Sequence, residues 1–201
     1  MDFAISDFSA EAKLMFCNDG GGKFEEVRAV KGTGPAVLTS GRGAAFGDLF
    51  KDGKIDAMIN PDDGPPVPLR NVKPDHHHGE GLKLIGGSKT ATSTGSLRDA
   101  VGATVYLSPS GMWQRRDLIS SASSVSTNAP RPHFGLGDAT DAVAAETHSP
   151  SGAKETVKLP AVERSFIITG GMGITGALCG GMPCPIAKPA SVRAVAPGAK
   201  P

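Results

Sequence analysis

The chain is broken repeatedly by residues that stop regular structure: 27 glycines and 16 prolines, together more than a fifth of its 201 positions. Proline removes a backbone donor and ends helices, while glycine opens the left-handed conformations that join short strands. Between these breaks the apolar residues fall in short runs and alternations, and none of them shows the repeat of an amphipathic helix. The expectation is an all-β chain of short strands and tight turns.

The strands can be placed. In "KLMFCNDGGGKFEEV", apolar Leu14 to Phe16 and Lys23 to Val27 flank Asn18 to Gly22, whose Asn-Asp-Gly cluster suits a hairpin. "AAFGDL" and "KIDAMI" are two further strands with an acidic loop between them, which gives the first seventy residues the look of a β-meander. "NVKPDHHHGE" (71–80) reads as a linker leading to a strand, "GLKLIGG". In "VGATVYLSPSGMWQRRDLI" the turn "SPSG" separates two strands of a hairpin. "PHFGLGD" is a short strand ending in a turn, and "ETVKLPAVERSFIITG" supplies the last strand material. From Gly171 onward the sequence is glycine, alanine, proline and positive charge without an acid, the composition of a disordered tail (171–201).

Composition excludes several classes of function. Lys plus Arg number 21 against 20 acids, so no net field draws in a polyanion, and nucleic-acid binding is not expected. The start, "MDFAISDFSAEAK", has acids where a secretory signal has a positive end and an apolar run, so no signal peptide is read in this chain. Ser165 to Ala187 is uncharged, but six glycines and two prolines make it a poor membrane helix, and no membrane span is expected. Three cysteines make neither a disulfide framework nor a zinc site; Cys179 and Cys184 can pair locally, which leaves Cys17 over.

The chemistry-bearing stretch is "GRGAAFGDLFKDGKIDAMINPDDGPP" (41–66), with Asp48, Asp52 and Asp56 around Gly53. Calcium takes about six to eight oxygens, and the loops that bind it present carboxylates at spaced positions around a glycine turn. Asp48, Asp52 and Asp56 are therefore the candidate metal ligands, with calcium as the cofactor and a backbone carbonyl of Lys54 as a further donor. An EF-hand is excluded, because its twelfth position is Ile59 and the flanks read as strands. The bland reading is a strand-to-strand turn tied by Asp-to-backbone hydrogen bonds. With so few donors, affinity falls in the weak extracellular class, on the order of 10⁻⁴ to 10⁻³ M.

Other candidates are weaker. On a strand, adjacent side chains alternate faces, so in "HHH" only His76 and His78 can converge, with Asp75 and Glu80 near in sequence. No G-x-S-x-G elbow supports a hydrolase, and both "SPSG" stretches read as turns. His133 has no obvious nucleophile beside it and is expected half-buried at a strand end. Asp62 and Asp63 lie in a turn that suits no acid/base pair. "GGSKTATSTG" lacks phosphate-loop spacing. Trp113 and Arg115 form a small basic–aromatic group on one face of a hairpin.

Taken together, "KLMFCNDGGGKFEEV" and "GRGAAFGDLFKDGKIDAMINPDDGPPVPLRN" resemble an FG-GAP (VCBS) propeller repeat. "GLKLIGG", "LRDAVGATVYL", "SSASSVSTNAPRPHFGLGDA" and "SPSG" resemble the ASPIC/UnbV domain of cartilage acidic protein-like proteins. The resemblance implies a partial β-propeller repeat of about one blade over 1–72 and a β-rich ASPIC/UnbV-like module over 78–168. It also implies an extracellular or periplasmic protein. The implied role is a non-catalytic binding or structural module with a weak or vestigial calcium loop, acting on a protein or carbohydrate ligand. The alternatives are a propeller-based enzyme (a lyase or oxidoreductase accessory) or a truncated product without independent function. The sequence departs from the family in three places. One blade stands where a propeller has about four to eight. "SSASSVSTNAP" and "ETHSPSG" differ from the usual Gly-Ser-Tyr-Leu-Ser and Val-Arg-Trp-Pro-Ser-Gly patterns. Phe50 occupies the third position of the family's Asp-x-Asp-x-Asp-Gly-x-x-Asp loop.

Overall fold

The computed structural model describes residues 2–4, 14–19, 21–27, 34, 38–72, 78–86, 98–121, 124–139, 143–159, 165–179, 182–184 and 193–194. Among these there is no α-helix, and the chain is built of strands, as the glycine and proline pattern predicts. It divides into two compact units, Met1–Phe50 with Ile55–Val72 and Ser121–Ala129, and Lys51–Lys54 with Lys73–Ser120 and Pro130–Pro201.

The first unit holds two three-stranded antiparallel meanders. One contains β1 (Asp2–Ala4), β2 (Leu14–Asn18) and β3 (Phe24–Val27). Asn18 pairs with Phe24, and the Asp19 carboxylate accepts the N–H groups of Gly21 and Lys23, which closes the hairpin where its sequence placed it. The other contains β4 (Gly41–Gly47), β5 (Asp56–Pro61) and β6 (Val67–Leu69). Ala44, Ala57 and Ile59 form its buried face. The outer edge of β4 is covered by a segment distant in sequence. Ala129 N–H donates to Phe46 O, Ser126 Oγ to Ala44 O, and Phe46 N–H to Asn128 Oδ1. A Cβ at Gly43 would stand 2.0 Å from the Ser124 carbonyl oxygen, so this approach requires glycine there. Within "SSASSVSTNAP", residues 124–129 are mostly polar and form no strand, as expected, but they work as an edge cover.

The second unit is a sandwich. One sheet has the order β10-β7-β13-β14-β15, the other β16-β12-β11-β8-β9. The strands are β7 (His78–Ile85), β8 (Thr104–Leu107), β9 (Gln114–Asp117), β10 (His133–Gly137), β11 (Ala144–His148), β12 (Lys154–Lys158), β13 (Ser165–Thr169), β14 (Gly173–Cys179), β15 (Met182–Cys184) and β16 (Arg193–Ala194). Both sheets feed one apolar core: Leu82, Leu84, Phe134, Phe166, Ile168 and Ile174 from the first, Val105, Leu107, Ala145 and Val157 from the second. Among the described strands every pairing is antiparallel except that of β7 with β13. The motif "RDAVGATV" makes the turn into β8. Ala103 N–H donates to Ala100 O, and Gly102 takes φ +90°, a value that only glycine adopts without strain.

Two sequence boundaries change. "ETVKLPAVERSFIITG" becomes two strands in different sheets, β12 and β13. The stretch from Gly171, assigned to the tail on composition, contributes β14, with Ile174 and Ala177 in the core. Gly176 packs closely on β13: a Cβ there would stand 2.9 Å from the Ile167 Cδ1. Across β14 and β15, Cys179 is opposite Met182 and Cys184 opposite Ala177, so the two cysteines are not register partners. No helix among the described residues is long and apolar enough to cross a membrane.

Candidate functional site

The acidic turn joins β4 to β5. Gly53 at φ +83° and Lys51 at φ +58° reverse the chain, and Asp52 Oδ1 accepts the Lys54 N–H to hold the reversal. Asp56 opens β5 and is 2% exposed. One of its oxygens accepts the N–H groups of Leu49 (2.9 Å) and Phe50 (3.3 Å), and the other accepts that of Asn71 (2.9 Å), just past β6. These three bonds replace the water that the buried carboxylate has lost. Asp56 thus ties both sides of the turn and the exit of β6 together.

Asp48, Asp52 and Asp56 do converge. A carboxylate oxygen from each lies within 4.8 Å of the others. Oxygens that share one calcium at about 2.3–2.6 Å lie at most about 5 Å apart, so this spacing fits the ion. Bonds to backbone N–H groups leave lone pairs on the Asp56 oxygens. Phe50, two positions after Asp48, makes a different contact: its ring lies 4.8 Å beneath the Arg70 guanidinium. This cation–π contact brings a positive charge to the loop.

The remaining sequence candidates separate. His76, His77 and Asp75 lie outside the described residues, as does most of "GGSKTATSTG"; His78 begins β7. Asp62 and Asp63 sit in an exposed turn, where Asp62 pairs with Arg42 at 2.6 Å and Ser40 Oγ donates to Asp63. Both "SPSG" stretches are turns, closed by Met112 N–H to Pro109 O and by Gly152 N–H to Ser149 O. His133 is half-buried at the start of β10, as expected. Arg116 reaches its carbonyl, whereas Arg115 turns to the other face of β9. Trp113 precedes β9 and is exposed; the aromatic ring under Arg115 is Tyr106, at 5.9 Å.

Sequence reasoning missed two features. The first is the solvent face of the β12-β11-β8-β9 sheet. Register places Asp117, Thr104, His148 and Lys154 in one row and Arg115, Tyr106, Glu146 and Thr156 in the next. Thr104 Oγ1 donates to Asp117 at 2.7 Å and Arg115 follows at 3.0 Å; together they hold the Asp117 carboxyl below the usual carboxylate range. His148 stacks at a tilt against Tyr106 and bonds Glu146. The period-two alternation of these strands carried the signal. The second is Glu80 on β7, 1% exposed among core side chains.

The ASPIC and UnbV family model matches residues 93–174, which run from just before β8 into the start of β14. Residues 1–92, including the acidic turn, lie outside the matched span. None of the curated proteins matches the chain.

Proposed function

We propose that the chain is a non-catalytic binding or structural module of an exported, propeller-type protein, in which the turn Asp48–Asp56 is a weak calcium clip. The observation that carries this reading is the convergence of three carboxylates within 4.8 Å on a turn that one of them already ties together. The ASPIC and UnbV match over 93–174 suggests a non-enzymatic or extracellular module, and export is read from that resemblance. Residues 1–72 are taken as a propeller-type repeat because β4, β5 and β6 form a meander whose open edge is covered by a fourth segment, close to the four strands of a blade.

In this reading the ion neutralises the clustered carboxylates and fixes the loop between two strands. Its contribution is to stability. The ligand, a protein or a carbohydrate, is met by a rigid sheet surface, and the polar–aromatic face around Tyr106 and Arg115 supports that assignment. The decisive experiment is thermal unfolding by circular dichroism in EGTA and then in millimolar calcium. A melting temperature that rises with calcium, and fails to rise in Asp48→Asn, supports the clip. A transition unmoved by calcium removes the ion and leaves a hydrogen-bonded turn.

A further inference from the structure

Among the described residues of the second unit two glutamates are buried, and they differ. Glu155 on β12 has its Oε1 bonded by the Gly171 N–H at 2.6 Å. Glu80 on β7 has a buried Oε1 with no hydrogen-bond partner. Alternation along β7 puts Glu80 on the face of Leu82 and Leu84, and its cross-strand partner on β10 is Phe134, itself fully buried. Ionising a carboxylate that has a buried, unpartnered oxygen in such surroundings is far less favourable than keeping it as the neutral acid. Of the charged groups on the facing elements, Arg116 is exposed to solvent. Arg116 on β9 lies 5.7 Å over the Phe134 ring and donates to the His133 carbonyl. The His133 ring packs against Gly79, and His78 is at the strand's start. From β8, β11 and β13 the core receives apolar side chains and Thr147, and β12 adds the capped Glu155.

We propose that Glu80 is a proton-sensing residue built into the sandwich: the folded unit holds it as the neutral acid, and its ionisation loosens the β7–β10 edge. Burial pushes the Glu80 carboxyl up to about 9 from an ordinary 4.5. The sign follows from linkage. Below 4.5 both states carry the proton; between 4.5 and about 9 only the folded state does, so stability falls as pH rises through that window. Through Glu80 the module therefore loosens as pH rises from about 4.5 toward about 9. This inference is independent of the calcium clip.

The test uses the full chain in EGTA throughout, so the acidic turn cannot contribute through calcium. Hydrogen exchange of the His78–Ile85 strand is followed against pH in wild type and in Glu80→Gln, with the intrinsic pH dependence of exchange removed. The wild type is expected to lose protection by roughly tenfold per pH unit inside the window, about a hundredfold between about pH 5 and about pH 7. Glu80→Gln is expected to stay level. Parallel profiles in the two proteins overturn the proposal. Should Glu80→Gln not fold, infrared spectroscopy of the wild type decides. A carboxylic-acid carbonyl band that persists at neutral pH and titrates in the alkaline range supports a protonated Glu80. Loss of every such band below neutral pH overturns it.

Discussion

At the scale of single residues, the acidic turn separates two jobs that its three aspartates share in the sequence. Asp56 is buried and accepts three backbone N–H groups, so it organises the turn with or without an ion. Asp56→Ala leaves those donors without their acceptor and is expected to destabilise the protein by on the order of 3 kcal/mol, in EGTA as well as in calcium. Asp48 is half-buried, so Asp48→Asn should lower the melting temperature little in EGTA while abolishing the calcium response. Equal losses for both variants in EGTA would show that the turn depends on all its carboxylates. Phe50 gives the complementary test. Phe50→Asp adds a carboxylate two positions after Asp48 and removes the ring under Arg70. Calcium affinity, read by isothermal titration, is expected to rise by about tenfold, since charge count tunes such sites. Tightening that is absent would mean the position does not point at the ion.

At the scale of elements, the segment 124–129 is the informative piece. It is pinned to β4 by backbone and side-chain bonds, and Val125 within it sits at φ +49° while 74% exposed. A β-branched residue in the left-handed region is strained, and only the surrounding bonds hold it there. Val125→Asn relieves that strain and is expected to stabilise the protein by about 1 kcal/mol in urea unfolding. Gly43→Ala does the reverse: its Cβ would meet the Ser124 carbonyl at 2.0 Å, and the resulting overpacking costs roughly 1–3 kcal/mol. The sequence made the strands themselves legible, because turn chemistry and period-two alternation are local. The "NDGGG" hairpin, "SPSG" and "RDAVGATV" fold much as their residues dictate. The clasp on β4 was not legible, since Ser126 and Ala44 are 82 positions apart and no local pattern joins them. β14 was hidden for another reason. Its glycines look like a tail in composition, yet Gly176 makes room for Ile167. Glu80 was half-legible: it alternates with Leu82 and Leu84, but its charge and the adjacent histidines drew it into a metal reading. The converging aspartates were legible because their ligand-like spacing lies within nine residues.

At the scale of the whole molecule, the chain order and the compact units do not coincide. The sequence places a break after residue 72, yet the first unit also takes Ser121–Ala129, a segment that belongs by position to the family-matched stretch. A fragment 1–72 therefore keeps β4, β5 and β6 but lacks the bonds that Ala129, Ser126 and Asn128 make to β4. An uncovered edge strand leaves N–H and C=O groups open, and such edges pair with other chains. The fragment is expected to lose cooperative unfolding and to self-associate, as read by circular dichroism and light scattering. A synthetic peptide of residues 119–131 added in trans should reverse both effects, and the same peptide with Ser126 and Asn128 replaced by alanine should do so less well. A fragment 1–72 that melts cooperatively as a monomer would mean that β4 needs no cover. The segment 124–129 would then be a loop resting on a finished sheet, and the closing role assigned to it here would fall.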